Sequence, residues 1–449
     1  MLASVAVLFR QFLDDGLGCA SYLIGDEKAG IAALVDPAYA IEEYLEDAER
    51  RHVEIVRVLE THTHADHLSG HGRLALDHGC IVNIHPAAEV EFEHEPLEDG
   101  AEIAIGDVVV RVLHTPGHRP EHCCFAVIDP SRGDEPSLVL TGDSLFVGNA
   151  ARPDLAVEAR EGAEGLFHSL HRLTQLPDDV EVYPGHVAGS LCGINMSPKA
   201  STTIGFERRF NRALQLATVE EFVEDSIATS ALRPPNMERI VELNRGPFVG
   251  APEPFAELAE GAGGTILDVR DSDAFGAGHA HGAINVPVDG SSFATKAGFL
   301  LSPDEEIAVH AASREQAERA ARGLRSVALL TLAGYVLGPP ADERLQPVAL
   351  GELEGLLERG EVEVLDVREK DERDAGYIPG TRHVPYRVLR AMGRDVDGNR
   401  PIVTICSTGP RAAIAASVLA ASGVDARPVL HGGVATWPGQ TVEFRRCGT

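Results

Sequence analysis

The sequence predicts a multidomain α/β protein: a metal module in the first half, then two smaller domains with parallel sheets. Three observations carry this. In the first 186 residues, short apolar, β-branched runs at 55–59, 108–113, 138–140 and 180–183 each lead into a cluster of His or Asp. Such runs read as strands. Later in the chain, one stretch matches another at an offset of 98 residues. Within each repeat, strand-like runs alternate with helix-like ones such as 314–324 and 412–421, which implies a parallel sheet in layered α/β architecture.

The chain opens on an apolar stretch, 1–10, that lacks a charged n-region and a small-residue cleavage site, so it reads as a first strand. Four clusters follow: Thr61-His62-Thr63-His64-Ala65-Asp66-His67, Thr115-Pro116-Gly117-His118, Thr141-Gly142-Asp143 and Tyr183-Pro184-Gly185-His186. Imidazole and carboxylate suit zinc, iron or manganese. Placed where strands end, they let several loops converge on one metal. His71, His78, His85, His94, His114 and His122 read as ordinary surface or core histidines, and Cys123-Cys124 as part of an apolar strand. A helix-like tail at 220–243, interrupted by Arg233-Pro234-Pro235, closes the module. Asn244-Arg245-Gly246-Pro247 then reads as a linker. The first domain is expected at 1–245.

Beyond it, Leu267-Asp268-Val269-Arg270 matches Leu365-Asp366-Val367-Arg368, and 278–287 matches 376–385, both at 98; 307–311 aligns with 402–406 at 95. Two copies of one domain explain this, expected at 252–340 and 346–449. Cys406 sits in a loop between a strand-like run and a helix-like run. Backbone N–H groups gathered there favour an anion, either a thiolate or a persulfide. Gly409 permits close backbone approach. Arg411 can anchor the loop or grip an anionic partner. The first copy has Ala311 at the aligned position and a shorter loop, Ala311-Ala312-Ser313-Arg314. It has no thiol at that place, which leaves it a spacer or docking role. Its Gly261-Ala262-Gly263-Gly264 is a flexible turn, because the helix and Lys of a phosphate loop do not follow.

Composition narrows the function classes. A formal charge of −30 argues against nucleic acid or an anionic membrane as partner. No apolar stretch approaches membrane-spanning length. The seven cysteines are odd in number and scattered, which fits a reducing cytoplasm better than a disulfide framework. A homo-oligomer is expected.

The four clusters resemble the metallo-β-lactamase superfamily, which implies an αββα sandwich of two mixed sheets with the metal site at one edge. The repeat resembles the rhodanese (sulfurtransferase) domain. That resemblance rests on the Leu-Asp-Val-Arg strand end, the Gly-x-Ile-Pro-Gly stretch from Gly376, Cys406-Ser407-Thr408-Gly409-Pro410-Arg411, and the closing His431-Gly432-Gly433 with Trp437. Two readings of the metal site follow. Glyoxalase II-like hydrolases hold two metals, such as two Zn, with all seven ligands. Persulfide dioxygenases resemble a mononuclear Fe(II) site of two His and one Asp, here His62, His118 and Asp143. His64, Asp66, His67 and His186 would then orient those ligands rather than bind a second metal. All seven residues are present, so the ligand set alone leaves both readings open.

The rest of the chain favours the second. Gly142-Asp143-Ser144-Leu145-Phe146-Val147 with Arg152-Pro153-Asp154, Val187-Ala188-Gly189-Ser190-Leu191-Cys192-Gly193, and the stretch 201–210 look like the bacterial persulfide dioxygenase–rhodanese fusion proteins. The resemblance implies oxidation of a thiol persulfide (of glutathione, coenzyme A or another carrier) with O2 to sulfite plus thiol. Sulfur transfer through Cys406 would then yield thiosulfate, a route of sulfide detoxification. Arg152 and Arg119 are candidates for binding substrate carboxylates or supporting the site. Arg119 stands where a Thr is usual, at the expected pocket rim. Cys192 is a candidate persulfide relay, or a small residue in a Gly-rich turn. A sensor that binds persulfide without turnover is the non-enzymatic alternative; the intact triad and cysteine loop argue against it.

Overall fold

Two stretches of the N-terminal half, Cys19–Asp26 and Cys123–Ile128, are buried along their whole length. Strands buried on both faces must be covered on both faces, and each lies inside a six-stranded sheet of the computed structural model. The first sheet runs, in spatial order, Val7–Asp14, Cys19–Asp26, Ile31–Val35, Glu54–Leu59, Ile81–Ile84 and Glu95–Pro96. It is antiparallel at its start and parallel from Ile31–Val35 onward. The second runs Thr202–Thr203, Glu181–Pro184, Leu138–Gly142, Cys123–Ile128, Val108–His114 and Glu102–Ile105. Only its Leu138–Gly142 and Glu181–Pro184 pair is parallel. Tyr22, Ile24, Leu59, Val110, Phe125 and Leu140 fill one core cluster built from both sheets. Leu34, Val58 and Val82 pack with Tyr44 and Ala48 of helix Glu42–Arg50 and Leu74 of helix His71–His78. Val139 and Val182 pack with Leu166 and Leu170 of helix Ala159–Leu173 and Phe222 of helix Val219–Ile227. The result is the αββα sandwich.

The structure describes residues 7–153, 158–187, 197, 199–227, 233–259, 263–338, 340–396 and 400–443. The chain divides into two compact units: Met1–Pro252 with Arg325–Ala328, and Glu253–Leu324 with Leu329–Thr449. In the first, the helix-like tail is two helices, Val219–Ile227 and Met237–Arg245. The expected linker at Asn244 needs correction. Asn244 and Arg245 complete the second helix, and the Asn244 side chain is buried in the module.

The second unit holds two four-stranded, all-parallel sheets. One has the order Ile284–Asn285, Thr265–Asp268, Ile307–Ala311, Leu332–Leu337; the other Arg382–His383, Glu363–Asp366, Ile402–Ile405, Ala426–Pro428. Their registers reproduce the repeat. Leu267 faces Ile284 as Leu365 faces Arg382, and Asp268 faces His310 as Asp366 faces Ile405. Helices Arg314–Ser326 and Pro410–Ala421 follow the third strand-like run of each copy. Each repeated Arg folds back on its own strand end. Arg270 Nη2 reaches Asp268 at 2.6 Å and the Gly278 carbonyl at 2.9 Å. Arg368 Nη2 reaches Asp366 at 2.7 Å and the Gly376 carbonyl at 2.8 Å. No helix among the described residues is long and apolar enough to cross a membrane. Cys19, Cys80, Cys123, Cys124 and Cys406 are free thiols.

Candidate functional site

Each ligand-bearing loop of the sandwich leaves the C-terminal end of a strand. His62 Nε2 lies 4.0 Å and His118 Nε2 lies 3.5 Å from Asp143 Oδ2. All three residues are buried, and their ligand-type atoms lie within 4.8 Å of one another. The far nitrogens of both rings are occupied. His118 Nδ1 donates to the Arg152 carbonyl at 2.9 Å. His62 Nδ1 donates to Thr61 Oγ1 at 2.9 Å, and that hydroxyl donates to Asp36 Oδ2 at 2.8 Å. The Nε2 lone pairs therefore face inward, as metal ligation requires. Burial holds both imidazoles neutral, below their ordinary pKa; for His62 the neighbouring imidazoles add to it. Asp143 Oδ2 is buried with no hydrogen-bond partner. A carboxylate oxygen stranded this way is costly, and a cation between it and two imidazole lone pairs removes the cost. The donor set fits a metal.

His64, Asp66 and His67 form a second group whose ligand-type atoms also lie within 4.8 Å of one another. His67 Nε2 and both nitrogens of His64 are buried without hydrogen-bond partners. His186 stands between the groups, with Nδ1 2.6 Å from Asp143 Oδ1 and Nε2 2.7 Å from Asp66 Oδ2. Burial opposes its charge, but Asp143 and Asp66 outweigh it and push its pKa up to about 10.

Several residues here carry no motif of their own. Asp36, in the left-handed region at φ 48°, accepts from the Thr61 amide at 2.7 Å and lies 3.3 Å from His64 Nε2. Glu60 accepts from Ser69 Oγ at 2.5 Å and His71 Nδ1 at 3.0 Å, and its other oxygen lies 3.3 Å from His64 Nε2. His122, read as ordinary, accepts from the Asp143 amide through Nε2 at 3.0 Å and donates to Thr115 Oγ1 at 2.9 Å. Burial pushes its pKa down to about 3. Asn244 donates to the carbonyls of His64 and His67, at 3.0 and 2.9 Å, and accepts from the Ser69 amide at 2.9 Å. It clamps the first ligand loop. Gly142 is obligatory: at φ +45° a Cβ would lie 2.7 Å from both His122 Nε2 and Thr61 Oγ1.

Arg119 is not a rim residue. It is buried, and its Nε donates to Glu121 Oε1 at 2.7 Å, which also accepts from the Thr63 amide at 3.2 Å. The charge supports the loop from inside. Arg152 meets the centre through its carbonyl on His118. Cys192 lies outside the described residues.

In the second unit, Cys406 directly follows the strand Ile402–Ile405 and is only 1% exposed. The Gly409 amide donates to its Sγ at 3.1 Å. Gly409 has φ +116°, and a Cβ there would fall 1.8 Å from the Leu430 carbonyl oxygen, so the turn demands glycine. The closing His431-Gly432-Gly433 stretch brings Val434 N–H to the Cys406 carbonyl at 2.9 Å. Arg411 donates from Nη1 and Nη2 to the two oxygens of Glu372, at 2.5 and 2.7 Å, and from Nη2 to Ser407 Oγ at 3.2 Å. Of its two anticipated roles, anchoring the loop is the one seen. Burial would raise the Glu372 pKa, but Arg411 outweighs it and holds it down at about 2. In the first copy the Ala312 amide donates to Gln316 Oε1 at 2.8 Å and the Gln316 amide to Ser313 Oγ at 3.2 Å. Those amides are taken.

Residues 14–186 match the family model for the metallo-beta-lactamase superfamily, and residues 251–337 and 349–440 each match the rhodanese-like domain. The chain is 30% identical over 246 residues to the mitochondrial persulfide dioxygenase ETHE1 of Bos taurus, spanning 53% of this chain and 87% of that protein. It is 33% identical over 168 residues to a hydroxyacylglutathione hydrolase of Rhizobium etli, spanning 36% of this chain and 60% of that protein. A solved metallo-beta-lactamase structure from Staphylococcus aureus superposes with a TM-score of 0.69 at 28% identity, covering 75% of this chain and 99% of that one.

Proposed function

The chain belongs to the persulfide dioxygenase family of the metallo-β-lactamase superfamily and carries two rhodanese-like domains; from this premise we propose that it oxidises thiol persulfides and passes sulfane sulfur to the product sulfite. One observation carries the reading: His62, His118 and Asp143 form a buried, converging two-imidazole, one-carboxylate set on the same chain as a thiol loop. Ferrous iron held by that set would supply the redox chemistry that joins O2 to a persulfide sulfur, releasing sulfite and free thiol.

The chain's own residues do the rest. Asp36 through Thr61, and the Arg152 carbonyl, fix the tautomers of His62 and His118. His122 holds the Asp143 backbone, and Asn244 holds the loop of His64 and His67. With both ring nitrogens engaged by carboxylates, His186 orients Asp143 instead of taking a metal of its own. At the second site Cys406 takes the outer sulfur of a persulfide, held as an anion by the Gly409 amide. Sulfite then removes it as thiosulfate. A reducing cytoplasm, where free thiols persist, suits this chemistry.

Protein purified anaerobically should bind one iron per chain and consume O2 with glutathione persulfide. Asp143→Ala should abolish both, since a three-ligand site has no spare. A second reading, a two-zinc thioester hydrolase, is favoured by the group His64, Asp66 and His67 and by the hydroxyacylglutathione hydrolase relative. Two stoichiometric zinc ions, thioester hydrolysis and no O2 uptake would establish it instead.

A further inference from the structure

Within the second unit the two rhodanese-like copies meet along the helix Phe293–Leu300 of the first. That helix packs on the turn Tyr386–Val388 of the second copy. The Arg387 guanidinium lies over the Phe299 ring, 4.5 Å from its centroid. Arg390 donates from Nη1 to the Leu300 carbonyl at 2.5 Å and pairs through Nη2 with Glu305 at 2.7 Å. The Asn285 amide donates to Ser417 Oγ at 2.9 Å. Lys296 sits one turn before Phe299, on the same side of the helix. It is half-buried, and Nζ donates to the Ser291 carbonyl at 2.5 Å. An ammonium has two further N–H groups to offer. The turn Tyr386–Val388 that this helix packs on packs in its turn on the helix Pro410–Ala421, which follows Cys406 and carries Arg411 in its first turn. Burial disfavours the Lys296 charge most, Arg411 disfavours it further, and Cys406 favours it.

The cysteine loop needs such a cation. Arg411 is the one charged residue of 406–411, and both its terminal nitrogens are committed to Glu372. An incoming sulfite is an anion approaching an anionic persulfide in a chain of net charge −30, so repulsion opposes it twice.

We propose that Lys296, contributed by the copy that has no sulfur-carrying thiol, binds the anionic sulfur acceptor beside Cys406 and sets the acceptor specificity of the site. The inference rests on the sulfur-transfer reading above. In the step concerned, the sulfite sulfur lone pair attacks the outer sulfur of Cys406–S–S⁻ and a new S–S bond forms. The old S–S bond breaks, and its electron pair returns to Cys406 as thiolate. Thiosulfate leaves; no proton moves, and no outside oxidant or reductant is needed. Lys296 neutralises part of the charge that builds as the two anions meet.

The test uses the full-length protein with Cys406 loaded from glutathione persulfide, and two acceptors: sulfite, which is charged, and cyanide, which near neutral pH is mostly uncharged HCN. Lys296→Met and Lys296→Gln should raise the KM for sulfite about tenfold or more, the loss of one charge-assisted contact. Loading of Cys406, read by mass spectrometry, and transfer to cyanide should stay at wild-type levels. Lys296→Arg, which keeps the charge, should restore sulfite use. An unchanged sulfite KM in both neutral variants would overturn the proposal. So would equal loss of sulfite and cyanide transfer, which would assign Lys296 to packing. A wild-type protein whose Cys406 never loads would overturn the sulfur-transfer reading itself, and this inference with it.

Discussion

In one rhodanese-like copy the strand Ile307–Ala311 includes Ala311, and the next amide, that of Ala312, is spent on the Gln316 side chain. In the other the strand ends at Ile405, Cys406 follows, and Gly409 turns its amide onto the sulfur. Around this one loop the copies are alike. Arg270 and Arg368 make the same bonds to Asp268 and Asp366, and to the carbonyls of Gly278 and Gly376. The Glu372 that anchors Arg411 is Ala274 at the 98-residue offset. The comparison shows what can be lost without losing the fold. Arg–Asp pairs with a buried carboxylate define the strand end and persist in both copies, because removing the Arg strands that charge. The anion cradle contributes nothing to the skeleton, and it is absent from the copy without a thiol. Function resides in a site carried by the fold rather than in the fold.

Five experiments break or sharpen the contrast. Cys406→Ser should have the largest effect. Sulfur transfer should vanish while O2 uptake with persulfide survives, and ion chromatography should show sulfite replacing thiosulfate. Persistence of enzymatic thiosulfate would erase the functional difference between the copies. Gly409→Ala forces a side chain into the left-handed region against the Leu430 carbonyl, and the strain should slow transfer by about 100-fold. Glu372→Gln, which makes the second copy resemble the first at this anchor, should cost about tenfold in transfer rate as Arg411 loses its charged partner.

Ala311→Cys in a Cys406→Ser background should gain nothing, because this shorter loop has no counterpart of Gly409 and its Ala312 amide is already spent on Gln316. Measurable transfer would mean that the thiol alone separates the copies.

A pH series gives the smallest effect. Glu372 has its pKa depressed in the folded state, to about 2. The stabilisation it gives the loop is therefore present above the ordinary carboxylate pKa and is lost as pH falls through the folded value. Between pH 8 and 5 the ratio of wild-type to Glu372→Gln transfer rates should stay constant.

Most of the architecture was legible from local patterns. The ligand clusters sit directly after apolar strand runs, and the repeat offsets of 98 and 95 survive as sheet registers. What escaped was assembled from afar. Asp36, Glu60 and His122 touch the centre from strand ends scattered over the sandwich, and an isolated Asp, Glu or His carries no periodic signal. Asp36 left one trace, an acidic residue between an apolar strand and Pro37. Arg119 read as a rim residue because a charge beside a ligand suggests solvent; Glu121, two positions on, takes it inside. Asn244 read as linker because Asn-Arg-Gly-Pro is breaker-rich. Nothing in the linear chain says that its amide closes on three backbone groups near His64. Lys296 could not be seen at all, since its relation to Cys406 exists only once two domains pack.

Asn244 bears on how such a chain can be cut and rejoined. The seven ligand-type residues end at His186, and so does the superfamily match. Yet the backbone carrying His64 and His67 is fastened from the helix Met237–Arg245. As a unit of inheritance the module reaches to that helix. A recombination that joined a new partner directly after His186 would keep every ligand codon and still discard the fastening. A fusion that is to keep the metal loop fastened should therefore place its junction beyond Arg245.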